Sequence, residues 1–228
     1  MKVIFSTNLL LIIIFAATFS YGNNASYPGY VIKLNNDTLH GYIDYKNWEK
    51  NPKQIIFKRS ELGASMLFTT KSIFEFSANN EIYRSAIVET DVSEFRTSDL
   101  TLSSDLNLIV DTVFLRALII GTKSLYYLND ARGQECFYIE QNNKYELLVY
   151  KIYLKEERGK KYSVSNNKYI GQLILYLQNC KKINSVLSET SYNMRDLVKA
   201  FNYYYDCTQT KIAYRSTKKK LKLFFWLK

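Results

Sequence analysis

Residues 30–45 (Tyr-Val-Ile-Lys-Leu-Asn-Asn-Asp-Thr-Leu-His-Gly-Tyr-Ile-Asp-Tyr) alternate apolar and polar positions on either side of Asn35-Asn36-Asp37. Alternation is the period of a half-buried strand. Asn and Asp tolerate the left-handed backbone of a tight turn, so the stretch predicts a β-hairpin. Strands this close in sequence pair at little loop entropy, so the hairpin is a natural seed for a larger antiparallel sheet. The pattern continues downstream. Residues 55–58, 71–76 and 81–89 read as strands, with an Asn-rich turn at 77–80, while the mixed residues 60–70 read as a loop or short helix. Residues 90–104, rich in Ser, Thr and Asp, predict a surface excursion. Residues 113–120 (Val-Phe-Leu-Arg-Ala-Leu-Ile-Ile) are almost continuously apolar, as a strand buried on both faces would be. A meander follows through 124–128, 136–140 and 144–154, with turns at 129–133 and 141–143. Short strands and polar turns in this order describe an antiparallel sheet or an incomplete barrel.

The period then changes. Residues 156–168 are charged and polar, a linker or exposed loop. Beyond them Ile170, Leu173, Leu177 and Cys180 share one helical face. Asn193 is placed to cap a second helix with Asp196 as its partner, and Leu197, Val198, Phe201, Tyr204 and Tyr205 form its apolar side. The fold class predicted is α+β: an antiparallel β-sheet or meander followed by a C-terminal pair of α-helices packed on it.

The first 22 residues carry Lys2, an apolar run and a small-residue exit at Ser20-Tyr21-Gly22, the three-part pattern of a secretory signal peptide. The rival reading is an N-terminal membrane anchor. The chain then divides into a β-rich body (23–155), the linker (156–168), the helical pair (169–207) and a basic tail (208–228). The formal net charge of +10 is unevenly spread: all 21 acidic residues lie between Asp37 and Asp206. Residues 211–228 hold Lys211, Arg215, Lys218, Lys219, Lys220, Lys222 and Lys228 and no acid. The basic character belongs to the tail, so composition gives the body no support as a nucleic-acid binder. Of the three cysteines, Cys136, Cys180 and Cys207, two pair in an oxidising compartment, or all three stay reduced and buried.

Candidate chemistry is sparse. The single histidine, His40, would act as a base only beside a nucleophile and an orienting carboxylate; otherwise it is a structural or surface imidazole. No nucleophile elbow, phosphate-binding loop or zinc spacing is present, and no cofactor is expected. Asp91, Glu94 and Asp99 suit a calcium cluster or, more simply, a solvated loop. Tyr126-Tyr127 and Tyr203-Tyr204-Tyr205 are candidate binding aromatics for a glycan or protein, or else half-buried packing positions. In the tail, Lys220-Leu221-Lys222-Leu223 alternates. It reads as a disordered basic terminus, a segment on an anionic membrane surface, or a first transmembrane β-strand.

Residues 29–34 and 37–48, with Asn51-Pro52-Lys53, Val113-Phe114-Leu115-Arg116, Ser124-Leu125-Tyr126-Tyr127 and Tyr169-Ile170-Gly171-Gln172-Leu173, are the motifs of a likeness. The chain resembles the N-terminal periplasmic domain of Bacteroidetes outer-membrane β-barrel (porin-like) proteins. The resemblance covers most of residues 30–207 and implies no catalytic residues. It implies a disulfide between Cys180 and Cys207, which stand at helix ends. A tight antiparallel pair would hold those ends roughly 20 Å apart. The twelve residues 181–192 reach about 40 Å when extended, enough for the chain to run back. The chain stops where the family's barrel would begin, with Trp226 where a small residue is usual. One strand alone cannot span a bilayer. The function expected is a non-enzymatic exported cell-envelope domain, a binding or structural module of the periplasm at the outer membrane. Its partner would be an envelope protein or the cell wall, with membrane association through the tail and no nucleic acid. The alternatives are a secreted hydrolase using His40 and a truncated porin-like remnant.

Overall fold

The computed structural model describes residues 26–45 and 48–217. The expected signal at 1–22 and the Lys-rich end of the tail, 218–228, lie outside the described residues. The predicted hairpin forms as read. Strand β1 (Ser26–Lys33) pairs antiparallel with β2 (Thr38–Asp44), placing Tyr30 opposite His40 and Gly29 opposite Gly41. Asn36 supplies the left-handed turn residue, at φ 67°. Strands β3 (Gln54–Lys58), β4 (Ser65–Thr69), β5 (Ile73–Ala78) and β6 (Glu81–Asp91) follow. After an excursion at 92–107 come β7 (Leu108–Gly121), β8 (Leu125–Asn129), β9 (Glu135–Gln141) and β10 (Lys144–Leu147). Two of these hairpins turn through paired left-handed asparagines, Asn79-Asn80 and Asn142-Asn143. This is the type I′ geometry that matches strand twist.

The sheet runs β10-β9-β8-β7-β6-β5-β1-β2-β3-β4, every pair antiparallel. It is the α+β arrangement that the hydrophobic pattern predicts: a large antiparallel meander followed by helices. Strand β10 curls back, so that Leu147 packs in one cluster with Ala86 and Val88 of β6. Strands β6–β10 thus enclose an interior lined by Val113, Leu115, Ala117, Tyr126, Leu128, Cys136 and Tyr138.

Alternate residues of the same strands face outward under the helices α1 (Lys168–Tyr176), α2 (Ile183–Leu187) and α3 (Met194–Thr208). Leu125, Tyr127, Phe137 and Ile139 pack there against Leu173, Leu177, Leu197 and Phe201. The continuous apolar run of β7 follows from this cover on both sides. A register shift between Ala117 and Ile119 turns both Leu118 and Ile119 toward the helices. A further core under β1–β6 gathers Val31, Ile43, Phe57, Phe76, Tyr83 and Phe114. Each such side chain, fully buried, contributes about 1.5–3 kcal/mol.

Five segments differ from expectation. Residues 60–70 are neither loop nor helix throughout but contain β4, whose Met66 and Phe68 pack into the hairpin core. Residues 144–154 split between β10 and β11 (Lys151–Glu157). The supposed linker carries β12 (Lys160–Asn166), which pairs with β11 as an exposed two-stranded arm turning at Arg158-Gly159. Its alternation is masked because both faces are largely solvated. The helical pair is three helices, the short α2 running within the connection. The start of the tail forms β13 (Ile212–Arg215), which returns to pair with β7.

Beneath β13 lies a buried ion pair, Arg116 with Glu81, Nε to Oε2 at 3.7 Å. Ser216 donates its hydroxyl to the Glu81 carboxylate, 2.9 Å from Oε1. Its backbone N–H bonds Leu118 O at 2.9 Å, and Tyr214 donates to Asn80 O at 3.0 Å. The closing strand therefore seals the charge pair from water.

Candidate functional site

The hairpin alternation places Tyr30, His40 and Tyr42 on the sheet face opposite Val31 and Ile43. There they line an open hollow with Arg59, Ser77 and Asn80. The Tyr30 and His40 rings lie 6.3 Å apart and tilted. Gly29 and Gly41 adjoin it, opposite each other across the two strands. A Cβ on Gly29 would collide with the Ser77 carbonyl oxygen, and one on Gly41 with that of Lys58. Only glycine lets the backbones approach this closely, so the hollow has bare peptide groups beside its rings.

A chain of hydrogen bonds fixes Tyr30 from behind. Its hydroxyl donates to Glu75 Oε1 at 2.7 Å, and Arg84 Nε donates to Glu75 Oε2 at 2.7 Å. Arg84 Nη1 donates to the Tyr126 hydroxyl at 2.7 Å, which donates to Glu140 at 2.6 Å. The network thus runs from the hollow into the interior of the β6–β10 curl. Burial, then the Glu75 carboxylate, pushes the Tyr30 phenol well above its ordinary range. A neutral, anchored Tyr30 is a rigid ring rather than an acid.

A second concavity opens at the other end of the curl, a cavity of about 270 Å³. Leu106, Leu147, Tyr150, Ile152 and Tyr192 form apolar walls. The Cys136 thiol also lines it, and burial pushes that thiol up to about 12. Asp91, Glu94, Glu135 and Lys151 are the charged residues of the lining.

The tyrosines singled out by sequence go elsewhere. Tyr126, Tyr127, Tyr204 and Tyr205 are buried, and Tyr203 packs half-buried against the helical core. Tyr126 and Tyr127 lie where the sheet is covered on both faces, and Tyr204 and Tyr205 face the core under α3, so these four form no open binding surface. Tyr127 donates to Glu135 at 2.5 Å and carries the Arg116 guanidinium 4.8 Å above its ring. Tyr205 donates to Lys123 O at 2.6 Å, tying α3 to the β7–β8 turn. Tyr30, Tyr42 and Arg59 were not singled out. The hairpin register alone would have set Tyr30 opposite His40, and the strand period would have put Tyr42 on the same face.

His40 is exposed at the rim of the hollow, whose lining includes no carboxylate. Asp91 is buried and turned to Ser93 N and Gln134 Nε2, each 2.9 Å away. Among the described residues no group of three or more His, Cys, Asp or Glu is placed to hold a metal ion. Cys180 and Cys207 are bonded, with Cα atoms 5.9 Å apart, as the resemblance implied, and Cys136 is free. The bond ties the turn that follows α1, where Cys180 stands past Tyr176, to the last turn of α3, so the two helices do not run as a tight antiparallel pair.

No protein family, characterised protein or solved structure matches the chain. The porin-like resemblance is therefore carried by the sequence motifs alone.

Proposed function

We propose that this chain is a non-enzymatic, exported domain of the cell envelope. It binds an envelope protein or the cell wall through the open face of the β1–β2 hairpin and is held near the outer membrane by its basic tail. The observation that carries the reading is the hollow itself. Two tyrosine rings, an imidazole and the peptide groups beside two glycines, all on paired strands, line it together with the Arg59 guanidinium just past β3. Behind them the Glu75–Arg84 network holds Tyr30 in place before any partner arrives. Preorganised aromatic and arginine side chains are the groups that dominate protein recognition energetically. The Cys180–Cys207 bond accords with an oxidising compartment outside the cytosol. The hydrolase alternative receives less support, because His40 faces solvent with no carboxylate in the hollow's lining.

The test is cosedimentation of the purified full chain with isolated Bacteroidetes envelopes, alongside the double variant Tyr42→Ala/Arg59→Glu. The wild-type chain is expected to sediment with the envelopes. The variant should bind about tenfold or more weakly, the loss of one or two hot-spot side chains. Equal sedimentation of the two, with the variant folded, sinks the hairpin face as the binding surface.

A further inference from the structure

The cavity at the far end of the β6–β10 curl lies away from the hairpin hollow and shares no lining residue with it. We propose that it binds a small organic cation, a primary amine on an apolar body. Its size fits a ligand on the order of ten non-hydrogen atoms, at the ~30 Å³ that a water molecule occupies in the liquid. Leu106, Leu147 and Ile152 offer apolar contact, and Tyr150 and Tyr192 offer ring faces.

The charge of the lining is one-sided. Asp91, Glu94 and Glu135 face a single cation, Lys151, whose ammonium already donates to the Asp105 carbonyl. Asp91 is 3% exposed, and among the described residues its carboxylate accepts from the Ser93 backbone N–H and the Gln134 amide. The neighbouring Arg132 forms its ion pair with Asp130 and not with Asp91. It also bonds Gln134 Oε1 and the carbonyls of Asp91, Val92 and Ser93. A buried carboxylate without a cation is costly, and a bound ammonium would supply the missing charge. A bare metal ion is the wrong occupant, since the walls are largely apolar and the described residues offer no metal-holding group. An anion would meet three carboxylates.

The experiment titrates the nitrogen-15-labelled full chain with 2-phenylethylamine, 2-phenylethanol and phenylacetate, following backbone amide signals. The amine is expected to give saturable shifts at Leu106, Gln134, Leu147 and Ile152. Its dissociation constant should be about tenfold or more below that of the alcohol, as for a charge-assisted contact, and phenylacetate should not bind. Glu94→Lys, at an exposed rim position, should weaken the amine at least severalfold. Leu106→Trp, which fills the cavity, should abolish the shifts. The proposal is overturned if the alcohol binds as tightly as the amine, if the shifts fall outside the cavity, or if either folded variant leaves the amine's affinity unchanged. Envelope binding through Tyr42 and Arg59 is read separately, so the failure of one site leaves the other standing.

Discussion

Tyr83, Tyr126, Tyr127 and Tyr138 are all buried, each filling space that a leucine or phenylalanine would take in most sheets. Three of them donate to an acceptor: Tyr126 to Glu140, Tyr127 to Glu135 and Tyr138 to Glu89 O. Burial pushes all four phenols up, well above the ordinary range. In the unfolded chain the same phenols ionise near pH ~10. Their contribution to stability is therefore complete below that pH and lost as pH rises above it, because the unfolded state sheds protons first. An alkaline titration followed by tyrosinate absorbance should show the exposed phenols ionising early and the buried ones only together with loss of the fold. Smooth ionisation of all 20 tyrosines near pH ~10 with the circular dichroism intact would contradict this assignment. Single residues differ in how legible they are. Asn36, Asn79, Asn80, Asn142 and Asn143 take the left-handed conformation, and Asn between alternating runs announces a turn directly. Tyr126 and Tyr127 announce only a strand. Whether both faces are covered depends on helices more than forty residues away, which no local pattern encodes.

Among the elements, strands with one wet and one dry face were readable, and so was β7, whose continuous apolar run marks cover on both faces. Two others were not. Strand β4 shows its alternation only once Met66 and Phe68 are known to pack inward, and β12 has no dry face to betray it. The capping of α3 was explicit: Asn193 Oδ1 accepts from Asp196 N at 3.0 Å. The Asn193 amide in turn holds the Asp196 carboxyl below its usual range. The link between Cys180 and Cys207 closes a loop with a sequence separation of 27. The chain-entropy model assigns about 3–4 kcal/mol to a loop of that size. Cys180→Ser/Cys207→Ser should therefore lower the urea midpoint by a corresponding amount, measured under conditions that keep Cys136 reduced. An unchanged midpoint would mean that the bond constrains nothing the helices do not already fix.

Over the whole molecule, one sheet joins three packed regions, and β7 belongs to all of them. Phe114 faces the hairpin core, Leu115 the curl interior and Ile119 the helices. Cores that share a strand cannot be disassembled independently, so the protein should unfold in a single transition. Phe57→Ala in the hairpin core and Leu197→Ala under the helices should each cost about 3–4 kcal/mol. Both should shift the same melting curve seen by far-ultraviolet and aromatic signals. Two separable transitions would show the hairpin half to be autonomous. The general architecture was legible because its strands follow in chain order, each pairing near its neighbour. The exceptions, the β5–β1 pairing and the return of β13 to β7, are long-range joins with no local signature.

The last of these joins begins close to the sulfur bridge, for Cys207 stands in the final turn of α3 just ahead of Ile212. The bridge acts as a mooring post for the strand that lids Glu81 and Arg116. Cutting it would slacken that line and let solvent creep toward two opposite charges, one of them carried by the sheet's longest strand. A redox event among the helices would then be felt as wetting of an ion pair that touches neither sulfur.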